Sequence, residues 1–211
     1  IVGPVKKETQ FVFAEIQDPA QMTLEYLPTI LPPKKYFLPQ QEKLGTFAAG
    51  DVRMQEPLLS VRPTVIFGAH TCDIEGIECL DVVMNDQPYD PYFRTRRKTI
   101  LIIGYECMKP CDSNATCVTM GTHVPKSGYD LMITDLGDGY VVHVNSKEGG
   151  ELANTTCAVC AADQDEAKLA ERVEKARATK TLRFKKALTG DTARIAQAFE
   201  GDAVEHHVVG L

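Results

Sequence analysis

Seven cysteines are the side chains of this sequence best suited to chemistry, and their spacing is uneven. Cys72 and Cys79 come first, Cys107, Cys111 and Cys117 share one short stretch, and Cys157 with Cys160 makes a CxxC pair. Seven is odd, so a closed disulfide framework would leave one thiol over, and a chain of 211 residues has core enough to stand without staples. Reduced thiols in a cytosolic protein are therefore expected. They divide between small apolar core residues and soft, anionic ligands for zinc or an iron–sulfur cluster.

The elements around the cysteines predict which of them can meet. Thr64 to Ala69 reads as a short strand, and Ile74, Ile77 and Leu80 then recur at helical spacing, with Asp73 expected as the N-cap. Asn85 to Pro91 breaks that helix. An Arg-rich turn (Arg94, Arg96, Arg97, Lys98) follows, and the continuous apolar run Thr99 to Ile103 has the composition of a strand buried on both faces. Together these make a βαβ unit, whose two parallel strands point their carboxyl ends at one edge of the sheet. Cys72 lies just past the first strand and Cys107 just past the second, while Cys111 and Cys117 ride on the loop that leaves it. Four thiols, Cys72, Cys107, Cys111 and Cys117, are thus expected in the crevice where open α/β sheets bind ligands. Cys72 beside a helix N-terminus would gain from the positive end of the helix dipole, and Pro110 would stiffen the loop beside Cys111. Cys79, inside the helical pattern, is expected in the core. Cys157 and Cys160 stay open between ligands, a redox pair and structural residues.

The rest of the chain is organised around that unit. The first sixty or so residues contain a candidate strand, Phe11 to Ile16, and then Pro28, Pro32, Pro33, Pro39 and Pro57, which suit short strands and turns wrapped on the core. Leu131 to Thr134 and Tyr140 to Val144 flank an Asp-Gly turn and read as a hairpin. From Ala162 the sequence turns to Ala, Glu, Lys and Arg, with Leu169, Ala170, Val173 and Ala176 on one face of an amphipathic helix, and Thr192 to Phe199 is a second candidate. The expected fold is α/β: a mixed sheet with a βαβ unit, a β-hairpin and a C-terminal helical segment.

Composition narrows the function. Lys and Arg number 23 against 29 Asp and Glu, a formal charge of −6, which disfavours nucleic acid or an anionic membrane surface as the main partner. No apolar run is long enough to span a bilayer, so no membrane insertion is expected. The sequence begins at Ile1, so its front end does not report on export. Neither a GxxxxGK[ST] loop nor a GxGxxG turn after a strand is present, and no Ser/His/Asp arrangement stands out among the scattered histidines His70, His123, His143, His206 and His207. Three functions remain on the residues alone: a cluster-bearing electron carrier, a structural zinc site in an interaction domain, and a thiol redox enzyme using Cys157 and Cys160.

Five strings in order narrow this further: Lys35-Tyr36-Phe37-Leu38-Pro39; Thr71-Cys72-Asp73; Asp90-Pro91-Tyr92-Phe93 with Arg96-Arg97; Cys107 to Cys117 with Met120-Gly121-Thr122; and Gly128-Tyr129-Asp130-Leu131 with Thr134 to Asp138. Over Lys34 to Ser146 the sequence resembles the amino-terminal domain shared by the iron–sulfur subunit of anaerobic sulfite reductase and the beta subunit of cytosolic sulfhydrogenases, which belong to one family of 4Fe-4S dicluster electron-transfer proteins. The resemblance implies a [4Fe–4S] cluster and a place in a multi-subunit oxidoreductase, relaying electrons between a flavin-containing subunit and a catalytic subunit. It also implies a ferredoxin-like part further on, so residues 1–160 are expected to be an iron–sulfur α/β domain and 161–211 a helical segment leading to it. One position departs from the family pattern. Relatives often show Cys-Phe-Cys before the Met-Gly-Thr string, and here Ala115 replaces the first of those cysteines. Cys72, Cys107 and Cys117 carry over directly, and Cys111 is the expected fourth ligand, with Cys157, Cys160 or a histidine as the substitute.

Overall fold

The computed structural model describes residues 1–50, 61–156 and 165–187. Cys157, Cys160, His206, His207 and the helix expected over Thr192 to Phe199 lie outside the described residues. The centre of the fold is one six-stranded sheet, built from β1 (Val2–Lys7), β2 (Gln10–Glu15), β3 (Thr64–Ala69), β4 (Ile100–Tyr105), β5 (Leu131–Asp135) and β6 (Tyr140–Val144). The strand order is β2-β1-β3-β4-β5-β6. β1, β3, β4 and β5 run parallel, and β2 and β6 close the two edges as antiparallel hairpin partners. The expected α/β fold, with its βαβ unit and its hairpin, is the one observed.

Helix α1 (Thr71–Asn85) makes the crossover from β3 towards β4, and α2 (Pro91–Arg97) completes it. α1 buries Ile74 and Ile77 against a core that includes Phe13, Phe37, Ile66, Phe93, Ile102 and Met132. Gly104 in β4 makes this contact possible, because a Cβ there would come within 2.8 Å of Ile74 Cδ1 and closer still to Met132. After β2, residues 16–50 wrap the sheet, as their prolines require. Thr23 N–H donates to Pro4 O and Ile30 N–H to Phe11 O, so the irregular chain is stitched to the first hairpin. A short α3 (Cys117–Met120), α4 (Lys147–Thr156) and α5 (Glu166–Thr181), with two short 3-10 turns at Pro19–Gln21 and Pro33–Tyr36, complete the described elements. Among the described residues no helix is long and apolar enough to cross a membrane.

Three expectations are corrected. α1 begins two residues before Asp73, with His70 as its N-cap and no side-chain capping bond. Asp73 instead stands in the first turn, where the helix dipole also favours an acid, so its preference for that place imitates a cap. The basic stretch Arg94 to Arg97 is not a turn but the body of α2, capped by Asp90 Oδ1, which accepts from Tyr92 and Phe93 N–H. Cys79 is exposed and not in the core. At about 100° per residue it lies roughly 200° from Ile77, on the opposite side of the helix.

Candidate metal centre

The carboxyl ends of β3, β4 and β5 meet at one edge of the sheet, and the cysteines enter there. β3 ends in a bulge, where the register shifts between Phe67 and Ala69 around Gly68. Gly68 has φ +81°, which a side chain resists, and a Cβ there would stand 3.2 Å from Leu24 and Pro4. The Tyr26 hydroxyl donates to Gly68 O at 2.8 Å and holds the kink. The chain then turns through His70 into α1 and places Cys72 within its first turn. β4 delivers Glu106 and Cys107 directly beyond Tyr105, and the loop continues through Cys111 to Cys117 at the start of α3.

These cysteines are neighbours in space. Thr71 Oγ1 lies 3.6 Å from Cys107 Sγ, so the β3–α1 junction touches the β4 loop. Burial pushes the Cys72 thiol up to about 12, reinforced by the negative charge of Asp73 and of Cys107, Cys117 and Cys111. Burial likewise raises Cys111 to about 11, with Cys107, Cys117, Asp112 and Asp73 adding to it. Cys117 rises through burial and Cys107, while its own backbone, the Thr122 hydroxyl and Lys180 pull the other way. Each thiol thus feels the others. Among the described residues no group of three or more His, Cys, Asp or Glu is arranged to hold a metal ion, so the four sulfurs stand at electrostatic range and not at ligand range. As a donor set they suit a soft, positively charged core, whose charge would oppose the burial and mutual repulsion that raise Cys72, Cys111 and Cys117.

Beside the thiols the edge holds a polar cluster that no local spacing announces. Glu106 is fully buried. Lys180 Nζ, also fully buried, donates to its Oε1 at 2.7 Å; Arg177 NH2 and the Thr134 hydroxyl donate to its Oε2 at 3.0 and 2.8 Å. Burial alone would raise the Glu106 carboxyl, but the Arg177 hydrogen bonds and the Lys180 charge outweigh it and hold it below the usual carboxylate range. A cleft of about 520 Å³ opens between this cluster and the cysteine loop, with Tyr26, His70, Cys107, Cys111 and Lys180 in its walls. His70 is buried, stacks on Tyr26 at 3.8 Å, and its Nδ1 has no hydrogen-bond partner. Burial lowers its pKa to about 4, so the imidazole is neutral at physiological pH. His123 stands further along the same loop, against Phe184, and its Nδ1 is likewise without a partner.

Sequence comparison adds a relative to this geometry. No family model matches the chain. No solved structure matches it either. Sulfhydrogenase 2 subunit beta of Pyrococcus furiosus is 35% identical over 152 residues, which cover 72% of this chain and 44% of that protein. The chain therefore spans less than half the length of the curated relative that it matches. Over most of its own length, the chain is a homologue of a sulfhydrogenase beta subunit.

Proposed function

We propose that this chain is an electron-transfer part of a multi-subunit oxidoreductase of the sulfhydrogenase kind, carrying one [4Fe–4S] cluster on Cys72, Cys107, Cys111 and Cys117. The observation that carries the reading is the gathering of these four cysteines at the carboxyl edge of β3 and β4, from two segments that touch through Thr71 and Cys107. The likeness to a sulfhydrogenase subunit supports the same class, and favours it over the sulfite reductase branch of the resemblance. When bound, a cluster of this type takes up and releases one electron at a time. The chain's own residues then have three tasks. The thiols give up their protons and hold the core; Gly104 lets α1 pack against β4, and Gly68 lets β3 kink against Leu24 and Pro4 before the turn into α1; and the loop from Glu106 to Thr116, which has no regular structure, adapts to the ligand positions.

No general acid–base pair is needed in such a module, and none of the raised thiols among the described cysteines suits a nucleophile at neutral pH. Electrons would pass between a flavin-containing subunit and a catalytic subunit in a cytoplasmic complex, with the ferredoxin-like part of the same protein as the next carrier. Anaerobic purification followed by reconstitution tests the reading. The protein should be brown and hold about four iron and four sulfide per chain, and Cys107→Ser should lose both. One zinc and no sulfide, or a Cys107→Ser protein with undiminished iron, would overturn it.

A further inference from the structure

α5 is pinned to the carboxyl edge of the sheet at three places. Arg172 pairs with Asp138 in the β5–β6 turn at 2.5 Å, Arg177 and Lys180 enclose Glu106, and Arg183, just past the helix, donates to Met108 O at 3.0 Å. The last two contacts flank Cys107 on both sides. An amphipathic helix normally docks through an apolar stripe, yet here the most buried residues of α5 are Val173 and Lys180. A lysine taken wholly out of water next to a carboxylate adds little net stability over an apolar pair, so packing alone does not account for it. Lys180 also stands in the wall of the cleft that Cys107 and Cys111 line, and its bond to Glu106 reaches the chain neighbour of Cys107. Glu174, the other acid on Arg177, is 70% exposed and therefore screened. The charges facing this edge are thus the buried Glu106 and Lys180, the half-buried Arg177, and Asp73 beside Cys72.

We infer that Lys180 and Glu106 are positioning residues of the cysteine site: the pair docks α5 onto the loop that carries Cys107 and holds a buried cation in the wall of the cleft that Cys107 and Cys111 line. Docking is independent of any bound group, whereas the effect of the cation on a cluster rests on the function proposed above. An anionic four-thiolate cluster becomes more negative on reduction, so a nearby cation favours the reduced state and raises the potential.

Two measurements on the full chain separate these parts. In the iron-free protein, Lys180→Met should lower the hydrogen-exchange protection of α5 by about a hundredfold or more, and unchanged protection would overturn the docking. In the reconstituted protein, a redox titration followed by electron paramagnetic resonance should show the midpoint falling in Lys180→Met and rising in Glu106→Gln. Opposite signs are the signature of charge, since loosened packing would move both variants the same way; shifts of equal sign, or none, would overturn the positioning role. Should Lys180→Met fail to fold, Glu106→Gln carries the test alone, because the carboxamide keeps the shape and an acceptor for Lys180, and a potential that does not rise is then decisive against the inference. A wild-type chain that takes up no iron would count against the cluster, and the exchange measurement would still judge the docking.

Discussion

A buried charge sits at each end of β4, and the two are handled differently. Arg96, at the amino end, gives its Nε–H to Phe37 O at 2.7 Å and both terminal nitrogens to Glu42. Its partners are a backbone carbonyl and a partly exposed acid, and the bonds tie the segment around Phe37 to the end of α2. Glu106, at the carboxyl end, is enclosed by Arg177, Lys180 and Thr134 and has Cys107 as its chain neighbour. Among the described residues, His70 Nδ1 and His123 Nδ1 near this second end keep unused bonding capacity, as does Glu75 Oε1 in α1, and Cys72, Cys107, Cys111 and Cys117 lie on this side. The amino end closes the fold. The carboxyl end is polarised and incomplete by itself, as binding edges of parallel sheets are.

The sharpest way to break this comparison is to remove the acid at the carboxyl end. Glu106→Ala strands Lys180 in the interior without its partner, and should cost about 3–5 kcal/mol of unfolding free energy, read from urea midpoints of the iron-free chain. The pH dependence supplies a second handle. Because the folded carboxyl titrates below the unfolded value of about 4.3, its contribution is fully present above that value and is lost as pH falls through the folded one. The stability gap between wild type and Glu106→Gln should therefore narrow as the pH falls below about 4.3; a constant gap would mean that Glu106 is not held ionised. At the amino end, Arg96→Met should cost less, roughly 1.5–3 kcal/mol, since Glu42 turns to water when its partner goes. A larger loss there than in Glu106→Ala would reverse the contrast.

The two ends also differ in how far the sequence discloses them. β3, β5 and β6 are legible because apolar runs, alternation and an Asp-Gly turn are local signals, and the carboxyl ends of β3 and β4 suffice to place Cys72 and Cys107 at one edge. Asp90-Pro91 is a readable helix start too, since an aspartate N-cap with proline at the first helical position is a local motif, but the run of arginines behind it suggests an exposed turn. α4 escapes notice because Gly149 and Gly150 dilute its helical pattern, and its start is fixed by Ser146 Oγ accepting from Gly149 N–H. Glu106 cannot be found from spacing at all. A lone acid after an apolar strand reads as a solvated strand end, and the lysine that makes it otherwise stands 74 residues further along. Whether Cys111 completes the set is equally non-local, because it depends on where an irregular loop comes to rest.

Cys79 gives the finest test, because the smallest effect is expected there. It shares α1 with Cys72, and both are exposed, but Cys72 stands in the first turn at the sheet edge while Cys79 lies further along, on the side away from Ile74 and Ile77. Serine in its place changes one exposed atom, so stability should move by no more than about 0.5 kcal/mol, and iron and sulfide content should equal those of the wild type. The comparison with Cys107→Ser then asks whether position at the carboxyl edge, and not possession of a thiol, decides what a cysteine does here. Equal loss of iron in both variants would show that the thiols act through a general effect such as oxidation during loading. Loss in Cys107→Ser with full retention in Cys79→Ser would tie metal uptake to the ends of β3 and β4, where Thr71 already brings the two cysteine-bearing segments into contact.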